Sequence, residues 1–291
     1  MRTHLIHKAL RTALLSLLLA MAAVPSMAQA EGDLLSIGGS VTEIVYRLGQ
    51  EHRLLARDTT STYPEEAEAL PDVGYMRALS AEGVLSVNPQ LIISEDGAGP
   101  QETIDILEAA NIRFVKIPDS FSPEGVTEKI LAVGEALGVS AEAEALAREV
   151  NETLTESIRA AEAMAASAGR KRVLFVLSTR GGRILASGTN TAADSIITMA
   201  GGVNAATGFE GYKPVSDEAV TAAAPDVVLM MQTSATAHDA NEQLFSIPAL
   251  LATPAGRDRA VVRINGLLLL GFGPRTAEAV AALSKALYGE G

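Results

Sequence analysis

One short pattern occurs twice in this 291-residue chain, in the same order and with nearly the same spacing. A glycine–tyrosine step is followed by Ser-x-Glu, then by a valine, and then by a proline that opens an apolar run. From the serine onward the spacing is identical, and only the glycine–tyrosine step shifts, by one residue. Two copies across a whole chain favour two similar lobes, which enclose a cleft that can bind a ligand. The copies are Gly74, Tyr75, Ser80, Glu82, Val84 and Pro89, and Gly211, Tyr212, Ser216, Glu218, Val220 and Pro225.

The first thirty residues have the composition of a secretory signal peptide. A basic start is followed by an apolar stretch over residues 13–24 and by the small-residue cleavage motif Ala28-Gln29-Ala30. A helix that spans a bilayer needs about 20 apolar residues, and this stretch is shorter. We therefore expect cleavage after residues 1–30 and export of the remainder, with an uncleaved membrane anchor as the alternative.

Charge and cysteine content limit the partners and the compartment. The chain has a formal net charge of −12, and its first thirty residues hold three of the 23 basic side chains and none of the 35 acidic ones. The exported part is thus more acidic still, which argues against binding nucleic acid or an anionic membrane surface. There is no cysteine, so neither disulfides nor a lipid anchor on cysteine is expected. These features predict a free periplasmic protein.

Apolar runs and turn residues predict strands that alternate with helices on both sides of a helical stretch, which indicates parallel, doubly wound sheets. Residues 123–168 carry little strand signal and predict two helices, the second a long one over about residues 141–166. We therefore expect an α/β protein with two doubly wound lobes, a long linking α-helix and a ligand cleft between the lobes. The predicted bounds are 31–122 for the N-terminal lobe, 123–170 for the helical link and 171–291 for the C-terminal lobe.

Three helix starts are predicted from local residue patterns. Ser40 with Glu43 reads as a capping box after a strand-to-helix turn, and Thr191 with Asp194 reads as the equivalent cap in the second half. The closing helix is predicted to run from Pro274, with proline in its first turn, to Tyr288.

Motifs of common enzyme classes are missing from the sequence. There is no Gly-x-Ser-x-Gly elbow and no His-Glu-x-x-His zinc motif. His52 and His238 are the only histidines beyond the first thirty residues, and both lie in polar segments typical of a surface. We therefore predict a binding protein rather than an enzyme, with an exported hydrolase as the alternative from another class.

Tyr75 is the residue most suggestive of binding chemistry. It lies in Gly74-Tyr75-Met76-Arg77, where a loop is expected to leave the end of a strand, and ligands of open α/β sheets bind at such ends. A phenol ordinarily has a pKa of about 10, so an anionic tyrosine needs support at neutral pH. The positive charge of Arg77 could supply that support. A tyrosine packed in an interface between lobes is the alternative interpretation.

Several segments of the chain resemble the periplasmic haemin-binding proteins of bacterial haem ABC importers. The resemblance covers essentially the whole chain after the first thirty residues, and its most specific part is the Gly-Tyr-Met-Arg segment. The Ser-x-Glu repeats and the β/α order are shared with the wider class that carries cobalamin and iron siderophores. The segments that carry the resemblance are residues 58–64, 70–82, 186–194 and 268–276.

The resemblance implies that ferric haem b is the transported ligand and that Tyr75 is the axial ligand of its iron, supported by Arg77. Tyrosinate is a known haem ligand. Some members of the family add a histidine near the segment that here spans residues 177–182, and this chain has none there. Candidates to hold the haem propionates are Lys213, Arg180 and Arg183, and candidates for an apolar wall are Met76, residues 267–270 and Phe272.

The resemblance also implies an inner-membrane permease and its ATPase as partners. In relatives an acidic residue on each lobe docks onto arginines of the permease, and Glu82 and Glu218 occupy the matching places in the two repeats. Each glutamate also suits the first turn of a helix, where an acid interacts favourably with the helix dipole. Cobalamin or a ferric siderophore is the alternative ligand for the same fold.

Overall fold

The first sheet of the computed structural model is wholly parallel and has four strands in the order β2-β1-β3-β4. The structure describes residues 32–232 and 237–289, so the predicted signal peptide lies outside the described residues. The strands are β1 (Leu34–Ile37), β2 (Leu54–Arg57), β3 (Leu91–Glu95) and β4 (Arg113–Ile117). The intervening helices are α1 (Gly39–Arg47), α2 (Ala81–Ser86) and α3 (Gln101–Ala109).

Both faces of this first sheet are buried, as the doubly wound prediction requires. One face, with Leu34 and Ile93, packs on α1 and the linking helices, and the other, with Leu35 and Ile92, packs on α2 and α3. The strand order reverses beside β1, and the crevice at such a switch point is where α/β sheets bind ligands.

Two helices connect the first sheet to the second. They are α4 (Pro123–Leu137) and the 29-residue α5 (Ser140–Ala168). Helix α5 begins one residue before its predicted start and ends two residues after its predicted end. Gly138 ends α4 in the left-handed conformation at φ 78°, which glycine adopts without steric cost. One hydrophobic cluster runs from the first sheet through α4 and α5 into the second sheet, so the link is part of a continuous core. The predicted lobe boundaries remain predictions.

The second sheet is mixed rather than wholly parallel. Strands β10-β9-β5 run parallel, whereas β6 and β8 add antiparallel strands beyond β5, and β7 pairs with the start of β5. The prediction of parallel sheets was therefore wrong for this part. The strands are β5 (Arg172–Ser178), β6 (Ile184–Ser187), β7 (Val203–Asn204), β8 (Tyr212–Val215), β9 (Val227–Met231) and β10 (Val261–Ile264).

Helices cover both faces of the second sheet as well. The last of them packs along α5 and begins two residues later than predicted. Among the described residues, no helix combines the length and apolar character needed to cross a bilayer. The helices are α6 (Ala192–Met199), α7 (Asp217–Ala223), α8 (Ala237–Phe245), α9 (Pro248–Leu251), α10 (Pro254–Asp258), α11 (Gly266–Leu270) and α12 (Thr276–Tyr288).

The repeated pattern builds the same local structure in both lobes. Ser80 caps α2 by accepting a hydrogen bond from the N–H of Gly83 at 3.0 Å, and Ser216 caps α7 in the same way. The valine of each copy lies within its short helix and is buried, and the apolar run after the proline forms β3 in the first copy and β9 in the second. The sequence repeat is therefore a structural repeat of cap, short helix and buried strand.

A buried lysine ties the link to both neighbouring parts of the chain. Lys129 on α4 is fully buried, and its ammonium donates to Glu95 at 2.6 Å and to Asp119 at 2.7 Å. It also lies 3.1 Å from both the Ser40 hydroxyl and the Gly271 carbonyl oxygen. Burial raises the pKa of Glu95, and the Lys129 charge opposes that effect. Buried charges need such pairing because an isolated charge in the interior is costly.

Of the two predicted side-chain caps, one is wrong and one is confirmed. The helix α1 starts at Gly39 without a side-chain cap, because Ser40 donates to Glu95 instead and Glu43 pairs with Arg275. The Thr191 cap of α6 is confirmed, since its hydroxyl accepts from the N–H of Asp194 at 3.0 Å.

Candidate ligand-binding cleft

The loops at the carboxyl ends of β1 and β2 are fixed by one buried carboxylate. Asp58, which follows β2, accepts hydrogen bonds from the N–H of Gly38 at 3.0 Å and from the Ser61 hydroxyl at 2.8 Å. Its second oxygen accepts from both the N–H and the hydroxyl of Thr60. A fully bonded buried carboxylate gives this part of the sheet edge a rigid shape.

The loop that carries Tyr75 lies against this edge. The N–H of Thr59 donates to the Gly74 carbonyl oxygen at 3.0 Å. Gly74 has φ 101°, a backbone conformation that glycine adopts readily and that other residues adopt only with strain. Asp72 accepts from the Gly74 N–H at 2.8 Å and pairs with Arg57 at 2.8 Å. These contacts leave Tyr75 48% exposed, and its role as an iron ligand remains a prediction.

Arg77 is exposed, and its charge is felt at the repeat tyrosine of the second lobe. Burial raises the pKa of Tyr212, and the Arg77 charge is among the influences that lower it. Within the described residues no hydrogen bond joins Arg77 to Tyr75, so their pairing remains a prediction.

The predicted apolar wall is only partly exposed. Met76 is 8% exposed and accepts a long contact from the Thr60 hydroxyl, and Phe272 is 1% exposed with its ring edge-on to Phe121 at 5.3 Å. Both side chains belong to the core in this structure, and their contact with a ligand remains a prediction. Residues 267, 268 and 270 on α11 are half-buried.

Helix α11 brings the second half of the chain against the first lobe. A Cβ atom at Gly39 would lie 2.5 Å from a methyl group of Leu267 and 2.6 Å from the Thr60 carbonyl oxygen. Only glycine allows this close approach. The apolar run noted in the sequence therefore packs at the start of α1, beside the loops just described.

The predicted propionate partners lie on β8 and in the turn between β5 and β6. Lys213 follows Tyr212 on β8, so the two side chains point to opposite faces of the sheet, and the Lys213 ammonium lies 5.9 Å from the centre of the Phe209 ring. Arg180 and Arg183 are exposed in the turn between β5 and β6. Their roles toward a ligand remain predictions.

Tyr63 is a candidate ligand-contacting residue that sequence reasoning missed. It is 41% exposed, and the Arg275 guanidinium lies 3.3 Å from the centre of its ring. Arg275 also donates to Glu43 at 3.0 Å, which lowers the pKa of that carboxyl against the larger, raising effect of burial. The available signal was the position of Tyr63 inside residues 58–64, which carry part of the family resemblance.

The two proposed docking glutamates are exposed in the first turns of equivalent helices. Glu82 is in α2 and Glu218 is in α7. The backbone N–H of Glu218 and the Ser216 hydroxyl lower the pKa of the Glu218 carboxyl, so it is charged at neutral pH. His52 is exposed beside β2, as predicted, whereas the side chain of His238 lies outside the described residues.

Comparison with known proteins places the chain in a family. The model of the family described as "Periplasmic binding protein" matches residues 34–266. The structure resembles the periplasmic haem-binding protein BhuT, solved with two haems, at TM-score 0.82 and 40% identity over 88% of this chain and 97% of that one. It also resembles apo RhuT, the periplasmic haem-binding protein of Roseiflexus sp. RS-1, at TM-score 0.81 and 38% identity over 89% and 98%.

A curated relative is described as binding a different ligand. The vitamin B12-binding protein of Yersinia pestis (strain Pestoides F) is 26% identical over 225 residues, which is 77% of this chain and 77% of that protein. The family and the solved neighbours are solute-binding proteins rather than enzymes, which agrees with the missing catalytic motifs. The resemblance to periplasmic haemin-binding proteins is confirmed, and the chain belongs to the periplasmic binding protein family.

Proposed function

We propose that this protein binds ferric haem in the cleft between its lobes and delivers it to an inner-membrane ABC importer. The observation that carries the proposal is the exposed Tyr75 on a rigid loop at the carboxyl edge of the first sheet. The sequence identity of 40% to BhuT and 38% to RhuT, both described as haem-binding, supports haem as the ligand of this protein too. The signal-peptide pattern predicted for residues 1–30 and the lack of cysteine support a periplasmic protein without a lipid anchor.

The chemistry of the exposed tyrosine suits a ferric porphyrin. Phenolate is a hard anionic oxygen donor, and tyrosinate ligates haem iron in other proteins. When Tyr75 binds, its phenol loses a proton to solvent and its oxygen bonds to the iron, without any change of oxidation state. The positive charge of Arg77, two residues along, favours the anionic oxygen.

Cobalamin is the second candidate ligand because of the vitamin B12-binding relative. Separate titrations of the purified protein with haemin and with cyanocobalamin distinguish the two, since each ligand has its own visible absorbance. We expect saturable binding of haemin and none of cyanocobalamin at the same concentrations. Saturable binding of cyanocobalamin alone would replace haem with cobalamin in this proposal.

Replacing Arg77 with alanine is expected to weaken haemin binding by about 10- to 100-fold, the usual cost of losing a residue that supports a metal ligand. Without the positive charge, protons compete better with iron for the phenolate oxygen, so acid should release haem at a higher pH. The measurement is the Soret absorbance of each haem complex as pH falls, with Arg77→Lys as the charge-keeping control. Identical release curves for wild type and Arg77→Ala would contradict this role.

Reversing the charge of Glu82 and Glu218 together to lysine is expected to reduce haem-stimulated ATPase activity of the reconstituted importer. Each exposed ion pair contributes only about 0 to 1 kcal/mol, so single alanine variants should change little, whereas the double lysine variant adds repulsion. Haemin affinity should stay unchanged. The matched control reverses two exposed acids on α5, Glu142 and Glu152. Normal stimulation by the double variant, or an equal loss in the control, would contradict specific docking.

A further inference from the structure

Asp72 is a carboxylate beside the Tyr75 loop that the proposed function does not use. It lies three residues before the tyrosine, and its Oδ1 atom accepts a hydrogen bond from the N–H of Gly74 at 2.8 Å. An aspartate that accepts from the N–H two residues later forms an Asx turn. Gly74 has φ 101°, so this bond holds the unusual backbone turn from which the Tyr75 side chain leaves the loop.

The same carboxylate joins the turn to strand β2. Its Oδ2 atom accepts from the Arg57 guanidinium at 2.8 Å, and Oδ1 also accepts from the Thr59 hydroxyl at 3.1 Å. The Arg57 side chain is 10% exposed and donates to the Asp58 carbonyl oxygen at 3.1 Å as well. Hydrogen bonds between charged partners are stronger than those between neutral ones. Asp72 therefore connects the Tyr75 loop to the rigid edge of the first sheet.

The backbone on either side of this turn is anchored too. The N–H of Val73 donates to a carbonyl oxygen of β2 at 3.0 Å, and the N–H of Gly99 donates to the Met76 carbonyl oxygen at 2.9 Å. The Gly74 peptide lies between these two anchors, and its N–H is the group that Asp72 binds. Loss of the Asp72 carboxylate would therefore loosen the turn locally while the rest of the loop stays attached.

We propose that Asp72 is a positioning residue for the iron ligand, which holds the phenol oxygen of Tyr75 where a ferric porphyrin can bind it. This inference rests on the proposed function, because it requires Tyr75 to be the ligand. A bond to a metal tolerates little displacement, so a ligand carried by a loop depends on the contacts that orient it. Asp72 acts through Tyr75, so its loss should weaken iron ligation and leave the packing of the porphyrin unchanged.

The test is a haemin titration of wild type, Asp72→Ala, Tyr75→Phe and the double variant. Asp72→Ala should bind haemin about 10- to 100-fold more weakly, with a weaker charge-transfer band. In the Tyr75→Phe background the same change should have no further effect, because the oxygen that Asp72 positions is absent. Asp72→Asn keeps an oxygen that can accept from the Gly74 N–H, so it should lose less affinity. The matched control is Asp226→Ala, which should bind as wild type, since Asp226 also accepts a backbone N–H at 2.8 Å but lies in the second lobe.

Metal-free protoporphyrin IX separates positioning of the ligand from a general loss of structure. It offers no iron to the phenol, so Asp72→Ala should bind it as wild type does. Three results would overturn this inference and leave the haem function intact: unchanged haemin binding by Asp72→Ala, an equal loss for haemin and the metal-free porphyrin, or an equal loss with and without the Tyr75 hydroxyl. Absence of any haemin binding by wild type would instead overturn the proposed function itself.

Discussion

Replacing Tyr75 with phenylalanine is expected to lower the affinity for haemin by at least about 100-fold. Loss of a supporting residue commonly costs about 10- to 100-fold, and loss of the ligand itself should cost no less. The substitution removes only the oxygen from a side chain that is 48% exposed, so folding should be unaffected. Haemin titration followed at the Soret and charge-transfer bands measures the effect.

The Tyr46→Phe variant controls for the general loss of a phenol in this experiment. The Tyr75→Phe variant should lose the charge-transfer band of tyrosinate-ligated ferric haem, whereas the half-buried Tyr46 of α1 should tolerate its change without that loss. An unchanged spectrum and affinity at one equivalent of haemin would exclude Tyr75 as the iron ligand.

Replacing Lys129 with methionine is expected to destabilise the fold by about 3–5 kcal/mol, the cost of removing one partner from a buried ion pair. Methionine keeps much of the side-chain length but leaves Glu95 and Asp119 facing each other without the ammonium that joins them. Urea unfolding followed by circular dichroism measures the free energy of unfolding. Lys116→Met is the matched control, because Lys116 forms an exposed pair with Glu108 at 2.7 Å and should cost less than about 1 kcal/mol.

A double variant tests whether the loss comes from the unpaired buried charge. Changing Glu95 to glutamine in the Lys129→Met background removes one orphaned negative charge and should restore part of the lost stability. If Lys129→Met costs no more than Lys116→Met, the buried network contributes little to the fold.

Elements set by local residue patterns were predictable from the sequence. Thr191 caps its helix as expected, because a cap depends on residues only a few positions apart. Buried parallel strands such as β3 read as apolar runs. By contrast, β8 is mostly exposed and contains Pro214, so it lacks the pattern that indicates a strand.

Contacts between distant residues were not predictable in this way. Lys129 reads as an ordinary charged residue in a helix, yet one of its acceptors, Gly271, lies 142 positions away. The same long-range pairing takes Ser40 and Glu43 away from their predicted cap. Capping rules describe local competition for backbone donors, and here buried ion pairs supply stronger partners.

The candidate site was partly accessible to sequence reasoning. Tyr75 is exposed in a loop, as its place after a predicted strand indicated. The sequence could not show that Met76 and Phe272 are buried, since apolar residues suit a core and a ligand wall equally. Nor could it show that Tyr212 lies beside Ser187, because that proximity depends on the register of β6 and β8.

An absorbance titration of the purified wild-type protein with haemin tests the central claim, that the cleft binds ferric haem through tyrosinate, most directly. We predict saturable binding with a Soret band and a high-spin charge-transfer band. On acidification the phenolate is protonated, so the charge-transfer band should be lost and the Soret band should change to that of free haemin. A haemin spectrum that the protein does not change, with saturable binding of cyanocobalamin in the parallel titration, would contradict the account.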